Sequence, residues 1–556
     1  METLKIKHYK FICLLLSFLM IFSFAQSNVI NHIYVESGTQ SKMEKQYRYF
    51  DNFSNYNIKT KGDISVNDDD TGIKSITPNG YLKFSKKTFG NKRAIFIESN
   101  SNGELTYEYY EGRKELPFDP EGKKWLSEVL LEVVRITGID AEGRTKRIYS
   151  KNGIDGFLEE IHEISSNTVM AKYFEALLDN FKLSDDELIA VISSISQEMS
   201  SNTSRGMLYR RYNDIFMKND LTAIVYFRNV SKLSSNTERG SVLRNINKKI
   251  NFDNPKLTEA YFAGVDKMSS NTERGSVLRN LEQTQELNNQ AYARLLMSVK
   301  KLSSNTEMGS VMRSLEKINL NDPNVNEAYF NAIDAMSSNT EAGCTLRHII
   351  KNYNLNDQNY VSLLHSVKKL SSNTEIGSVL RSITKINLNN PDVNDAYFRA
   401  ISSLTSNTEA GSVLSNAIKN YKMNNDSWAS LFSVTGKLTS NTEMGSVMSK
   451  AIDFMPVNNV VADAFFDAAA KFSSNTEHGR ILRKMALNDK LDKYACIKLL
   501  ESARKLSSNT EKSSVLIKVS KTKFVEDKDV RAKYMSVAKT LSSNSDYRNV
   551  IEKLID

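Results

Sequence analysis

Apolar residues along most of the chain follow a helical period that restarts every 34 or 35 residues. One stripe has the spacing i, i+1, i+4, i+8 and consists of Val242, Leu243, Ile246 and Ile250. A similar stripe precedes it and consists of Tyr226, Phe227, Val230 and Leu233. Such spacing is typical of amphipathic helices. Because the run between the stripes is polar, each repeat is predicted to be two antiparallel helices joined by a corner.

The corner carries a Ser-Ser-Asn-Thr-type motif that occurs twelve times. Its copies begin at Ser165, Ser200, Ser234, Ser269, Ser303, Ser337, Ser371, Thr405, Thr439, Ser473, Ser507 and Ser542. Self-similarity at a fixed period of this length indicates stacked repeats. The fold class is therefore predicted to be mainly α, an α-solenoid of about twelve helical hairpins.

Within each corner, a serine and a glutamate three residues later have the spacing of a capping box. The capping pairs are Ser235 with Glu238, Ser270 with Glu273, Ser304 with Glu307, and Ser372 with Glu375. A glycine such as Gly240 follows the glutamate by two residues, and in a helix interior it costs about 1 kcal/mol relative to alanine. We attribute its recurrence to the close approach of a neighbouring helix. The corner asparagines are expected to hydrogen-bond between repeats.

A row of arginines shares one position in the second helix of each repeat. The candidate binding row consists of Arg210, Arg244, Arg279, Arg313, Arg347 and Arg381, with Arg483 further along. Two interpretations are open: the arginines pair with acidic neighbours, or they recognise an external carboxylate or phosphate by bidentate pairing. Serine replaces the arginine at two repeats, at Ser415 and Ser449.

A second period of 68 residues indicates that a two-repeat unit was duplicated. Ser298-Val299-Lys300-Lys301-Leu302 recurs as Ser366-Val367-Lys368-Lys369-Leu370. Since first helices alternate Tyr-Phe with Leu-Leu at the same positions, two classes of repeat are expected to pack in turn.

The region before the repeats differs in pattern. Short runs rich in β-branched and aromatic residues, separated by turn signals such as Pro78-Asn79-Gly80, predict a small antiparallel sheet. One face of that sheet is expected to pack on a helix from Glu121 to Thr137. The predicted division is a signal peptide 1–25, a polar and loosely ordered segment 26–57, a β-rich domain 58–118, a linking helical segment 119–150 and the solenoid 151–556.

This amino-terminal pattern resembles a known family. The motifs are Asn79-Gly80-Tyr81-Leu82-Lys83-Phe84, Pro117-Phe118-Asp119, Trp125-Leu126 and Glu132-Val133-Val134-Arg135 running into Gly138-Ile139-Asp140-Ala141-Glu142. Together with the repeats they are similar to the extracytoplasmic region of bacterial BlaR-type metallopeptidase-like proteins, without the peptidase portion. The corner here has Asn-Thr where those relatives tend to have Asp-Tyr. The resemblance implies an architecture, a compartment and a sensory or binding role, but no activity.

Composition and charge narrow the functional classes. Lysines followed by the apolar run 11–24 predict an exported protein, periplasmic or secreted, with no integral membrane span after signal cleavage. The formal net charge of +9 is a mild excess that permits an anionic surface or ligand. Cys344 and Cys496 lie too far apart in the array for a disulfide.

Candidate chemistry is sparse. His162-Glu163 matches the first two residues of the His-Glu-x-x-His motif of zinc peptidases, but Ser166 occupies the position of the second histidine. The segment 67–72 resembles a calcium loop yet lacks its glutamate and glycine, so a solvated turn is preferred. Each motif serine lies in a repeated cap without a histidine and aspartate to activate it. We therefore expect no enzyme activity, no catalytic residues, no metal and no cofactor.

The expected function is an exported, non-catalytic repeat scaffold that binds a protein or envelope polymer. The alternative is an accessory or sensory subunit of a membrane peptidase or signalling system. Nucleic-acid binding is a third class and is not expected, because the corner is nearly constant and variation falls just after it, at Arg239, Arg274, Met308 and His478 among others. The sequence does not indicate the oligomeric state.

Overall fold

A computed structural model describes residues 34–36, 44–51 and 53–555, and for 34–36 it describes the backbone alone. The predicted signal peptide, 1–25, lies outside the described residues. The predicted fold class is confirmed, because the described residues form 26 α-helices in a repeat-like array that follows an antiparallel sheet. The chain divides into two compact units, one ending at Ile246 and the other beginning at Asn247.

The first unit begins with strands. They are β1 Tyr34–Glu36, β2 Glu44–Phe50, β3 Ser54–Lys61, β4 Ile64–Val66, β5 Ile73–Ile76, β6 Tyr81–Thr88, β7 Asn91–Ser99, β8 Leu105–Glu111 and β9 Lys114–Leu116. Seven of them form one antiparallel sheet in the order β1-β2-β3-β6-β7-β8-β9, while β4 and β5 pair separately. Helix α1, Lys123–Thr137, covers one face, as the sequence predicts.

The core between sheet and helix follows from strand alternation. Ile58, Phe84 and Ile95 point from successive strands towards α1 and are almost fully buried. Trp125 of α1 stacks on Phe84 with ring centroids 5.6 Å apart. Residues of the opposite parity, Lys59 among them, remain exposed on the other face of the sheet. The sheet therefore has one apolar face and one polar face, as antiparallel sheets commonly do.

The expectation that 26–57 is loosely ordered is wrong for its second half. Residues 44–50 form β2, which pairs along its length with β3. The apolar positions that hold these strands are Tyr47, Tyr56 and Ile58, each less than 10% exposed. Asparagines, lysines and glutamates alternate with them, so the mean polarity of the segment hides the period-2 pattern.

The remaining helices of the first unit begin the repeats. They are α2 Ala141–His162, α3 Asn167–Asn180, α4 Asp185–Glu198, α5 Asn202–Arg211, α6 Asn213–Phe216, α7 Asp220–Val230 and α8 Asn236–Ile246. Helix α2 crosses the predicted boundary at 150 and kinks at Gly153, whose φ of 63° is in the left-handed region.

The second unit continues the hairpins. Its helices are α9 Pro255–Asp266, α10 Asn271–Thr284, α11 Asn289–Lys300, α12 Asn305–Ser314, α13 Pro323–Asp334, α14 Asn339–Asn352, α15 Asp357–Lys369, α16 Asn373–Ser382, α17 Pro391–Ser402, α18 Asn407–Asn420, α19 Asn425–Thr435, α20 Asn441–Phe454, α21 Asn459–Ala469, α22 Asn475–Ala486, α23 Lys493–Arg504, α24 Asn509–Val519, α25 Lys528–Ala538 and α26 Asn544–Ile555. Each first helix packs on the next first helix, and each second helix on the next second helix.

Two classes of repeat alternate, as the 68-residue period predicts. Second helices α10, α14 and α18 have 14 residues, whereas α12 and α16 have 10. After each short helix the chain runs through an extended link to a first helix that begins with a proline, Pro323 or Pro391. Proline suits that first turn because its missing N–H would have no partner there.

Candidate functional site

The corner motif joins neighbouring repeats through its asparagine. Nδ2 of Asn339 donates to the Ser371 hydroxyl at 2.9 Å, and the N–H groups of Ser371 and Ser372 donate to its Oδ1 at 2.8 and 3.3 Å. The same donation to the next corner recurs at Asn167, Asn202, Asn271, Asn305, Asn373, Asn407, Asn441, Asn475 and Asn509. We call these asparagines the amide ladder.

The second serine of each corner caps the helix that follows. The hydroxyl accepts the N–H three residues on, at 3.3 Å, in the caps of Ser235, Ser270, Ser304 and Ser372. The other half of the predicted capping box differs. In the corner at Ser372, the serine N–H that the box would give to Glu375 is donated to Asn339 of the preceding repeat. The corner glutamates are thereby released for another contact.

The glutamates bind the arginine row of the preceding repeat. The ion pairs are Arg210–Glu238 at 2.7 Å, Arg279–Glu307 at 2.8 Å, Arg313–Glu341 at 3.0 Å, Arg347–Glu375 at 2.7 Å, Arg381–Glu409 at 2.6 Å, and Arg483–Glu511. Arg244 occupies the same position of α8 and is half-buried like the others. Recognition of an external anion needs an available guanidinium, whereas these six bind internal carboxylates. The geometry therefore favours the first of the two interpretations of the row.

The recurring glycine provides the space for this carboxylate. A Cβ at Gly309 would overlap Oε2 of Glu341 and lie 2.6 Å from Nη1 of Arg313. The predicted close approach is thus made by a charged side chain of the next repeat and not by the apolar face of a helix. Sequence reasoning missed this link, although the joint presence of glycine, glutamate and arginine in most repeats was its signal.

Two repeats have serine in place of the row arginine, and the glutamates that face these serines differ in their ion pairs. Where Ser449 replaces the arginine, Arg480 of the next repeat binds Glu477 at 2.7 Å and restores a guanidinium. Where Ser415 replaces it, Glu443 has no ion pair among the described residues. Glu443 is therefore a half-buried carboxylate without its usual counter-charge.

The variable position just after the corner glutamate is buried throughout. Arg239, Met308, Ala342, Ile376 and His478 are all less than 7% exposed. Burial lowers the pKa of Arg239, whose guanidinium donates to the backbone oxygen of Ser231 at 3.0 Å. Because these side chains lie in the core, they are unavailable to read bases.

The calcium-like turn is held by arginines. Asp70 accepts from Arg144 at 2.8 Å and from Arg147 at 3.3 Å, and Arg147 also binds Asp140 at 3.0 Å. The preferred interpretation of a solvated turn is therefore wrong for Asp70, which docks the turn on α2. Within the described residues, no three histidine, cysteine or acidic side chains are grouped as metal ligands would be.

The histidines and cysteines have isolated environments. His162 is exposed and contacts Glu198 at 3.1 Å, while Ser166 caps α3. His478 is buried against the Ser502 hydroxyl at 2.8 Å, and burial lowers its pKa to about 4. Both Cys344 and Cys496 are free thiols, and burial raises the pKa of Cys496 to about 11.

A cleft of about 750 Å³ lies on the first-helix face of the second unit, between α9, α11 and α13. Ala293, Leu296 and Met297 of α11 supply its apolar lining, and the Met297 side chain is 54% exposed. Carboxamides line the cleft at Asn289, Gln290, Asn324 and Asn331. A volume of this size is in the range of ligand-binding sites.

Charged groups of the cleft are partly fixed. Arg294 binds Glu259 at 2.8 Å and Asp266 at 2.9 Å, and its guanidinium lies over the Phe262 ring. Glu327 and Lys300 also line the cleft and are exposed. Sequence reasoning did not find this site, because its members come from three helices and share no motif.

Comparison with known proteins shows no family for this chain. No family model matches the sequence, and no curated protein matches it. Among structures, a chain of a homology model of the full-length AP-3 complex is 12% identical with a TM-score of 0.26, covering 78% of this chain and 92% of that chain. The pentatricopeptide repeat protein PPR10 from maize is 14% identical with a TM-score of 0.22, covering 78% and 66%. An engineered protein is 15% identical with a TM-score of 0.23, covering 67% and 100%.

At these TM-scores the matches support no inference about function. The resemblance to BlaR-type proteins stays a prediction from the sequence. In the part of the chain that the structure covers, no helix has both the length and the apolar character of a membrane span.

Proposed function

We propose that this protein is an exported, non-catalytic repeat scaffold that binds an extended segment of a partner protein in the cleft between α9, α11 and α13. The observation that carries the proposal is Met297, a large apolar side chain that is 54% exposed at the cleft. Exposed methionines adapt to irregular apolar partners, and aromatic or aliphatic anchors in such clefts dominate binding energy.

Met297 departs from the repeat. The same position of the two-repeat unit is His365 in α15 and Ser433 in α19. A residue needed only for packing would be apolar in all three repeats, since the surrounding helices are alike. The exposed methionine thus serves a purpose that its equivalents do not share.

The carboxamides of the cleft fit an extended peptide. Each Asn or Gln side chain has both a donor and an acceptor, so it can bind a peptide group on the partner. Asn289 already donates to Asp322 at 3.0 Å, which leaves its oxygen for a partner N–H. With Glu327 and Lys300 exposed, the cleft is suited to a segment with an apolar anchor flanked by charges.

The proposal of a scaffold without catalysis rests on the serines. In the corner at Ser371 and Ser372, one hydroxyl accepts from Asn339 and the other caps α16, and most other corners repeat these two contacts. The resemblance to BlaR-type proteins adds the expectation that the partner is an envelope peptidase or signalling protein.

Site-specific photo-crosslinking tests the cleft. A photoreactive amino acid at position 297 should capture a partner from envelope extracts, and one at position 433 should not. Met297→Ser, which installs the residue of the equivalent repeat, should weaken the captured complex by roughly tenfold, as expected for losing one apolar anchor. Equal capture at both positions, or undiminished binding by the serine variant, would show that the cleft is not the site.

A further inference from the structure

Two neighbouring hairpins of the sheet expose phenylalanines at the same end. Phe53 directly precedes β3 and is 65% exposed, and Phe89 in the turn between β6 and β7 is 80% exposed. Their ring centroids are 5.6 Å apart. The two rings therefore form one projecting apolar tip, with the partly exposed Phe50 beside it.

The backbone at Phe89 is an unusual place for a phenylalanine. Thr88 pairs with Asn91, so Phe89 and Gly90 form a two-residue turn, and their φ angles are 49° and 88°. Turns of this type favour asparagine or glycine at the first position, because φ > 0 is unfavourable for a bulky side chain. An exposed aromatic residue at a strained position contributes little to the fold, and such strain is a reason to look for a function.

Unpaired basic groups lie next to the tip. Lys87 and Lys92 are direct cross-strand partners, an arrangement that is unfavourable for like charges. Within the described residues neither has a carboxylate at ion-pair distance, whereas their neighbours Lys86 and Arg93 bind Glu132 and Glu111. Asp51 also lies at the tip, and its carboxylate accepts the N–H of Phe53 at 2.8 Å.

We propose that this tip docks on a bilayer containing anionic lipid, with Phe53 and Phe89 at the headgroup level and Lys87 and Lys92 on the lipid phosphates. Convex aromatic side chains with basic neighbours fit the membrane interface, where amphipathic surfaces combine shallow apolar insertion with attraction to anionic lipid. The two phenylalanines of the tip are exposed at the end of the sheet. A site for a partner protein would instead offer a pocket, such as the cleft at Met297, into which an anchor residue of the partner inserts. This docking is independent of partner binding at Met297.

Vesicle co-sedimentation of the full chain tests the proposal. Vesicles of phosphatidylglycerol and phosphatidylcholine should bind the protein more tightly than vesicles of phosphatidylcholine alone. Phe53→Ser/Phe89→Asn and Lys87→Gln/Lys92→Gln should each lower the partition coefficient by roughly tenfold. Matched controls remove equivalent groups elsewhere, Leu487→Ser for an exposed leucine and Lys368→Gln/Lys437→Gln for two exposed lysines, and should bind as the wild type does.

Two further measurements separate the outcomes. Phe89→Asn alone should also weaken vesicle binding, while hydrogen exchange of β6 and β7 stays as slow as in the wild type or becomes slower, because asparagine tolerates the left-handed turn. The lost binding of that variant cannot then be ascribed to unfolding. Phe89→Trp should show a blue-shifted emission on anionic vesicles against the constant background of buried Trp125 and Trp428. Equal binding to both vesicle types, or no spectral shift, would overturn the proposal. Self-association that the Phe variants abolish, without vesicle binding, would assign the tip to a second copy of the chain.

Discussion

Substitution of Gly309 by alanine tests the glycine–glutamate–arginine link between repeats. In the interior of an ordinary helix this change stabilises by about 1 kcal/mol. In α12 the new methyl group would overlap the Glu341 carboxylate, so the carboxylate must move away from Arg313. The gain in helix propensity should therefore be offset by the loss of an ion pair.

The two effects have similar magnitudes. Arg313 and Glu341 are 3.0 Å apart, and their side chains are 30% and 24% exposed, between a surface pair and a buried one. A pair of this kind contributes about 1 kcal/mol. Gly309→Ala alone should change local stability by about zero, and Glu341→Ala alone should cost about 1 kcal/mol. In the Glu341→Ala background Gly309→Ala should regain its full 1 kcal/mol or so, giving a coupling energy of about 1 kcal/mol.

Hydrogen exchange with mass spectrometry suits the measurement, because long repeat arrays do not unfold in a single two-state transition. Opening free energies of peptides from α12 and α14 give the local change. Gly411→Ala is the matched control: its carboxylate neighbour, Glu443, has no ion pair to lose among the described residues, so the alanine should stabilise α18 by about 1 kcal/mol. The link is refuted if Gly309→Ala stabilises as much as Gly411→Ala and does so equally with and without Glu341.

Three further outcomes are expected. Asn339→Ala removes three hydrogen bonds to Ser371 and Ser372, so the opening free energy of α16 from hydrogen exchange should fall by about 1 to 2 kcal/mol. Asn339→Asp should lower it less, because the aspartate keeps both contacts in which the side-chain oxygen accepts a backbone N–H. Ser415→Arg should pair with Glu443 and slow hydrogen exchange in α18 and α20, an effect that should vanish in Glu443→Gln. His478 has a folded pKa of about 4, below its unfolded value, so its burial destabilises α22 as pH falls through this range. Between about pH 6.5 and pH 4, opening free energies of α22 peptides from hydrogen exchange should fall by up to about 3 kcal/mol relative to His478→Met.

Local physics made the repeats predictable, while tertiary contacts decided the rest. The caps follow from residues three apart, and the hairpins follow from a helical period, so both can be read from the sequence. The ion pair between each corner glutamate and the arginine of the preceding repeat could not be predicted in this way. It depends on Asn339 of one repeat, which accepts the serine N–H of the next repeat in place of the glutamate. Asp70 and Arg144 meet 74 residues apart, and nothing local indicates that contact. Strand β2 escaped prediction because its apolar positions are tyrosines among charged residues.

In a repeat array, side chains that recur in each repeat and side chains that differ from the repeat have different roles. Recurrent groups, such as the amide ladder and the glutamate–arginine pairs, make the same contact at each interface and so stabilise the stack. A departure is informative only when no neighbour compensates for it. The loss of arginine at Ser449 is compensated by Arg480 and therefore needs no functional explanation. Met297 has no such counterpart, because its side chain is exposed where the equivalent helices carry histidine and serine. An exposed apolar side chain that departs from the repeat in this way is where we expect binding to occur.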